Sequence, residues 1–188
     1  MREHWQIWSG LLSDQICDDL LTLAGDFQDA KVIARNGGQM VDEETRRTDI
    51  YPMPYGGADA KKAHSILGDY VALANRACFG FDLAEFYEFQ LFRYKAENQG
   101  YYQEHQDVLW VGRPFHRKLS LTVQLSGPDD YDGGEFVFAE YIPQPPAEKV
   151  RERGTVIIFP SMLSHRVDPV TKGCRYSMVG WYEGPQLR

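Results

Sequence analysis

The chain has 188 residues, 43% of them hydrophobic and 25% charged, an ordinary globular composition with enough length to bury one domain-sized core. Its net charge of −7 argues against a general binder of phosphate backbones, so no nucleic-acid partner is expected. Three scattered cysteines without a C-x-x-C, and the lack of an apolar h-region or a run of about 18 apolar residues, predict a reducing, cytoplasmic setting without membranes, disulfide framework or thiolate zinc.

Ser13 or Asp14 can cap a first helix running to about Phe27, with Leu12, Ile16, Leu20 and Leu23 along one side. Arg35 to Thr48 is polar and turn-rich, as in a surface loop. A second helix is predicted from Asp59, its cap, to Cys78, with Ile66, Leu67, Tyr70, Val71 and Ala74 at helical spacing. From Glu85 onward the texture changes. Phe86 to Lys95 is aromatic and extended. Arg117 to Ser126 alternates, with Leu119, Leu121, Val123 and Leu125 on one face and Lys118, Ser120, Thr122 and Gln124 on the other. Glu135 to Glu140, Thr155 to Phe159, Ser164 to Val167 and Cys174 to Tyr182 are further short strands between Gly, Pro and Asp signals, and Pro143-Gln144-Pro145-Pro146 reads as a surface loop. Helices followed by many short strands predict a mainly β (α+β) fold, a sandwich or jelly roll with N-terminal helices buttressing one sheet. One domain is expected over residues 1–188, with a helical and strand part to about 84 and the jelly-roll core from about 85 to 183.

His105 and Asp107 stand two apart, which in a strand puts both on one face. With His165 they make two imidazoles and one carboxylate, the ligand set of a non-haem iron(II) site with open positions. His116 is a conceivable substitute ligand, and a different metal on a similar barrel is an alternative. Arg175 follows His165 by ten residues, and its planar fork matches a carboxylate bidentately. If Val170 lies near the centre of a hairpin, His165 and Arg175 are cross-strand partners about 5 Å apart, with Ser177 on the same face. The plainer alternative pairs Arg175 with Asp168 or Glu183.

Several blocks together carry a family likeness. They are Arg93-Tyr94 through His105-Gln-Asp107, Arg117-Lys-Leu-Ser-Leu-Thr-Val-Gln-Leu, Asp132-Gly-Gly-Glu-Phe, Gly154-Thr-Val-Ile-Ile-Phe-Pro-Ser, and His165-Arg-Val-Asp-Pro-Val-Thr-Lys-Gly-Cys-Arg175-Tyr-Ser. In order and spacing they resemble the iron(II)/2-oxoglutarate-dependent oxygenases, in the prolyl 4-hydroxylase-like branch, over about residues 11 to 183. The resemblance implies a double-stranded β-helix with the metal inside. It implies iron ligation by His105, Asp107 and His165, and binding of the distal 2-oxoglutarate carboxylate by Arg175 and Tyr94, with Ser177 a further candidate donor; a packed core aromatic is the plainer reading of Tyr94.

The activity implied is hydroxylation of a C–H bond with iron(II), 2-oxoglutarate and dioxygen, releasing succinate and carbon dioxide, with ascorbate a candidate reductant. Asp107 stands where related halogenases carry a small residue, which implies hydroxylation. A second arginine, usual in nucleic-acid demethylases of this kind, is replaced by Trp181. A peptidyl proline is the first substrate implied, and a free amino acid or other small molecule the second. The segment from Arg35 to Thr48 matches a mobile segment near the entrance, with Trp110, Arg113, Phe115 and His116 as the other lip. A non-catalytic jelly-roll binding module is the alternative of another class.

Overall fold

The computed structural model describes residues 4–33, 39–42, 44–108 and 114–186. In chain order its elements are β1 (Gln6–Trp8), α1 (Asp14–Leu21), β2 (Gln28–Asp29), β3 (Lys31–Ile33), β4 (Gln39–Val41), β5 (Arg46–Arg47), β6 (Asp49–Met53), α2 (Ala58–Ala74), β7 (Tyr87–Lys95), β8 (Tyr101–His105), β9 (Phe115–Gln124), β10 (Tyr131–Gly133), β11 (Phe136–Phe138), α3 (Ala147–Arg151), β12 (Val156–Pro160), β13 (His165–Val167) and β14 (Val170–Pro185). The major sheet runs β1-β12-β9-β14-β7-β6-β2, with β10 added to β14. The minor sheet runs β11-β13-β8-β5, and β3 and β4 form a separate pair. The two antiparallel sheets make the expected double-stranded β-helix, buttressed by helices on one side.

Ser13 caps α1 as expected, accepting from the Ile16 N–H at 3.4 Å. The helix stops at Leu21 rather than near Phe27. The N–H groups of Leu23 and Ala24 bond three residues back, to Leu20 and Leu21, and tighten the last turn until Gly25 and Asp26 release the chain. The N-cap of α2 is Gly57, not Asp59. Asp59 lies in the first turn, where its charge suits the helix dipole and its carboxylate accepts from the Tyr51 hydroxyl at 2.9 Å. The helix ends in one π-turn, Asn75–Phe79, before Gly80 at φ 68°.

Two cores lie on opposite faces of the major sheet. Leu119, Leu121 and Val123 of β9 and Phe89 and Leu91 of β7 pack against Leu20, Leu67 and Val71 of the helices. Between the sheets lie Phe92, Tyr94, Phe136, Phe138, Ile157, Phe159 and Trp181. The polar face of β9 also looks into this interior. Ser120, Thr122 and Gln124 are all buried, so the alternation of β9 separates two interiors rather than core from water, whereas Lys118 stands at a register shift against β14 and lies near Asp82.

The expected hairpin between His165 and Arg175 does not form. His165 is in the minor sheet, opposite His105 on one side and Phe138 on the other. Arg175 is in the major sheet, opposite Tyr94. The intervening backbone bonds elsewhere: the Asp168 N–H donates to Glu135, the Val170 N–H to Gly100, and the Pro169 carbonyl accepts from Gly134. Pro169 has no N–H for a hairpin ladder, and the chain crosses between sheets instead of turning back.

Candidate active site

His105 and His165 are register partners across β8 and β13, with ring centroids 4.4 Å apart. Asp107 joins them from just beyond the end of β8, so the pleat of one strand does not align the H-x-D pair as expected. The Asp107 N–H donates to the Ser161 carbonyl at 2.9 Å, and its Oδ2 accepts from the Ser120 hydroxyl at 2.7 Å. Ser120 and Ser161 share a further bond at 2.9 Å. These contacts place Asp107 Oδ1 3.6 Å from His105 Nε2 and Oδ2 3.6 Å from His165 Nε2. The ligand atoms of the three residues all lie within 4.8 Å of one another, a group that could hold a metal ion.

The imidazoles are preset for that role. His105 Nδ1 lies 2.7 Å from the Gln103 carbonyl, and His165 Nδ1 lies 2.9 Å from the Leu163 carbonyl. A carbonyl only accepts, so each Nδ1 carries a proton, and each Nε2 is turned toward Asp107. Tyr102 stacks on His105 with centroids 3.6 Å apart, and Phe159 meets His165 edge-on at 4.9 Å. Burial pushes the His165 imidazole down to about 4, against the raising effect of Asp107, so it is neutral at physiological pH. Burial acts to raise the Asp107 carboxyl, but His165, His105 and Arg117 outweigh it and hold the group ionised, well below the usual carboxylate range. One carboxylate and two imidazoles with Nδ1 held by carbonyls form a donor set that fits a divalent iron.

Arg175 is another buried charged group of the interior. It is 3% exposed, and its Nε donates to Gln124 Oε1 at 3.1 Å. Among the described residues it has no carboxylate partner. Asp168 is taken by Arg166 at 2.7 Å, and Glu183 stands eight residues further along β14, about 26 Å away at strand rise. Tyr94 lies opposite Arg175, with the guanidinium carbon 5.5 Å from its ring centroid. Burial raises the Tyr94 phenol, partly offset by Arg175, and keeps it a neutral O–H donor. Ser177, two residues along β14, is buried on the same face as Arg175. Thr122, Gln124, Phe136, Ile157 and Arg175 line a small cavity there.

His116 is buried opposite Gly184 and lies outside the three-residue group. Phe115 is 40% exposed. Trp110, Arg113, residues 35–38 and Glu43 lie outside the described residues, so the proposed lip and entrance segment are only partly described. Trp181 is buried with the Arg117 guanidinium over its ring at 3.8 Å. The residues that sequence reading missed are Ser120, Ser161 and Gln124. The signal for Ser120 and Gln124 was the polar face of β9, which belongs to a buried strand; Ser161 follows β12 and carried no such signal.

A two-histidine, one-carboxylate cluster inside a double-stranded β-helix defines a class of metal-dependent oxygenases. Residues 89–183 match the family model described as the 2OG-Fe(II) oxygenase superfamily, and the chain belongs to that superfamily. A PKHD-type hydroxylase of Gloeothece citriformis is 41% identical over 83 residues, covering 44% of this chain and 37% of that protein. One from Hyphomonas neptunium is 44% identical over 69 residues, covering 35% and 28%. The chain thus aligns with well under half the length of these curated relatives. In fold it is similar to a Pseudomonas putida prolyl-4-hydroxylase, with a TM-score of 0.70, 19% identity and coverage of 98% of this chain and 94% of that one. It is also similar to a Trichoplax adhaerens prolyl hydroxylase solved with a hypoxia inducible factor peptide fragment, with a TM-score of 0.70, 18% identity and coverage of 96% and 83%. Among the described residues no helix is long and apolar enough to cross a membrane.

Proposed function

We propose that residues 1–188 form one hydroxylase domain that uses iron(II), 2-oxoglutarate and dioxygen. His105, Asp107 and His165 would hold the iron, and Arg175 with Tyr94 would receive the distal carboxylate of 2-oxoglutarate. Ser177 is the further candidate donor on that face. The observation that carries this reading is the pairing of two incomplete sites in one interior. Two imidazoles held at Nδ1 and one carboxylate converge to within 4.8 Å, and a buried guanidinium lacks a carboxylate partner among the described residues.

Bound iron, with the oxo acid and dioxygen, supplies the chemistry for hydroxylating a C–H bond, with succinate and carbon dioxide as co-products. The chain's own residues supply geometry. The Gln103 and Leu163 carbonyls hold Nδ1 of the two histidines and so turn Nε2 inward, and Ser120 and Ser161 hold Asp107. Phe136 and Phe159 pack on the buried His165, and Tyr102 stacks on His105. The substrate we favour is a peptidyl proline, since a structural neighbour was solved with a peptide fragment; a free amino acid or other small molecule is the second reading. The test is succinate release from 2-oxoglutarate with iron(II) and ascorbate, across proline-containing peptides and free amino acids. Stimulation by one peptide class supports the reading. Stimulation by free amino acids alone replaces the peptide by a small molecule, and no succinate under any condition overturns the activity.

A further inference from the structure

Gln124 is 4% exposed and uses every hydrogen-bonding atom of its amide. Its Nε2 donates to the Ser126 carbonyl at 2.9 Å and to the Tyr131 hydroxyl at 3.1 Å. A carbonyl cannot donate, so the bond to Ser126 fixes which end of the amide is nitrogen, and Oε1 must face Arg175 Nε at 3.1 Å. The frame is itself pinned. The Arg151 guanidinium lies over the Tyr131 ring at 4.3 Å and donates to the Tyr131 carbonyl at 2.7 Å and the Gly133 carbonyl at 3.0 Å. The acceptor chosen for a buried arginine is therefore neutral and immobile. It occupies Nε, leaves the two terminal nitrogens for another ligand, and does not cancel the charge.

We propose that Gln124 is the positioning residue that makes the protein select an oxo acid with a second, distal carboxylate. The proposal rests on the reading of Arg175 as the co-substrate anchor. A glutamate at 124 would pair with Arg175 internally and set a carboxylate oxygen against the Ser126 carbonyl. A methionine would fill the space and free the guanidinium to swing. Tyr131→Phe would keep the ring under Arg151 and remove one acceptor from the amide.

The experiment compares binding of 2-oxoglutarate and of 2-oxobutyrate, which lacks the distal carboxylate, to the iron(II)-loaded protein without oxygen. Binding is read by calorimetry, with iron(II) affinity and circular dichroism measured on each variant. Gln124→Met is expected to weaken 2-oxoglutarate about 10- to 100-fold, the range seen when the support of a ligand-holding group is removed, while 2-oxobutyrate and iron affinities stay within about threefold. Gln124→Glu is expected to lose at least as much, and Tyr131→Phe about two- to threefold in the same direction. If a folded Gln124→Met variant keeps the wild-type preference for 2-oxoglutarate, or loses both oxo acids and iron together, the positioning role is wrong. If Gln124→Met fails to fold, Tyr131→Phe decides by the same preference, and no shift there overturns the role. If the wild-type protein shows no preference between the two acids, the fault lies with Arg175 as anchor, and the proposal falls with it.

Discussion

On β9, Leu119, Leu121 and Val123 face the helices, whereas Ser120, Thr122 and Gln124, one residue out of step, face the space between the sheets. Both sets are buried, yet they are held by different physics. The outer set is apolar and non-directional, and its contribution scales with area removed from water. The inner set is polar and directional, and the Ser120 hydroxyl and Gln124 amide contribute only because their partners stand at hydrogen-bond distance. A site of this kind can be disabled without loss of the fold, and the fold can be weakened without change at the site.

The largest separation is expected from Asp107→Ala, which removes the only carboxylate of the group. Iron(II) affinity measured by anaerobic calorimetry should fall at least about 100-fold, with circular dichroism unchanged; unchanged affinity would refute the ligand assignment. On the other face, Leu121→Ala should cost about 2–5 kcal/mol of unfolding free energy in denaturant while leaving iron affinity of the folded fraction unaltered. A site effect as large as the stability effect would blur the distinction between faces.

Acid should act on the inner face first. The folded His165 imidazole is pushed down to about 4, against an ordinary value of 6.5, so the unfolded chain binds more protons between those values. The stability linked to the neutral ring is complete above about pH 6.5 and is lost as pH falls toward 4. His165→Gln should flatten that part of a pH–stability curve, and an unchanged curve would count against burial as the cause. A smaller change is expected from Ser120→Ala, which frees Asp107 Oδ2 from its hydroxyl donor; iron affinity should drop about 10-fold with little loss of stability. Ser177→Ala should be the mildest, with 2-oxoglutarate affinity reduced by less than about fivefold.

The sequence carried the ligand types, the strand texture and the two helices, because periodicity and residue chemistry are local signals. The family resemblance, not periodicity, put Tyr94 and Arg175 in one neighbourhood, and they are register partners. The sequence misplaced the route from His165 to Arg175, since a Pro169 that ends one strand and feeds another looks like a hairpin turn until its neighbours are known. It likewise put Asp107 on a strand face, whereas Ser161 and Ser120, more than ten residues away in the chain, set its position. Gln124 and Ser120 were read as the polar side of an alternating strand. Only closure of a second sheet over that side turns them into buried partners of Arg175 and Asp107, and closure is a long-range property.

The most direct measurement is anaerobic titration of the wild-type protein with iron(II) and then 2-oxoglutarate, followed by visible absorption. The account predicts one iron per chain and a weak charge-transfer band that grows only when the oxo acid is added. Failure to bind iron, or a spectrum that 2-oxoglutarate leaves unchanged, would contradict it.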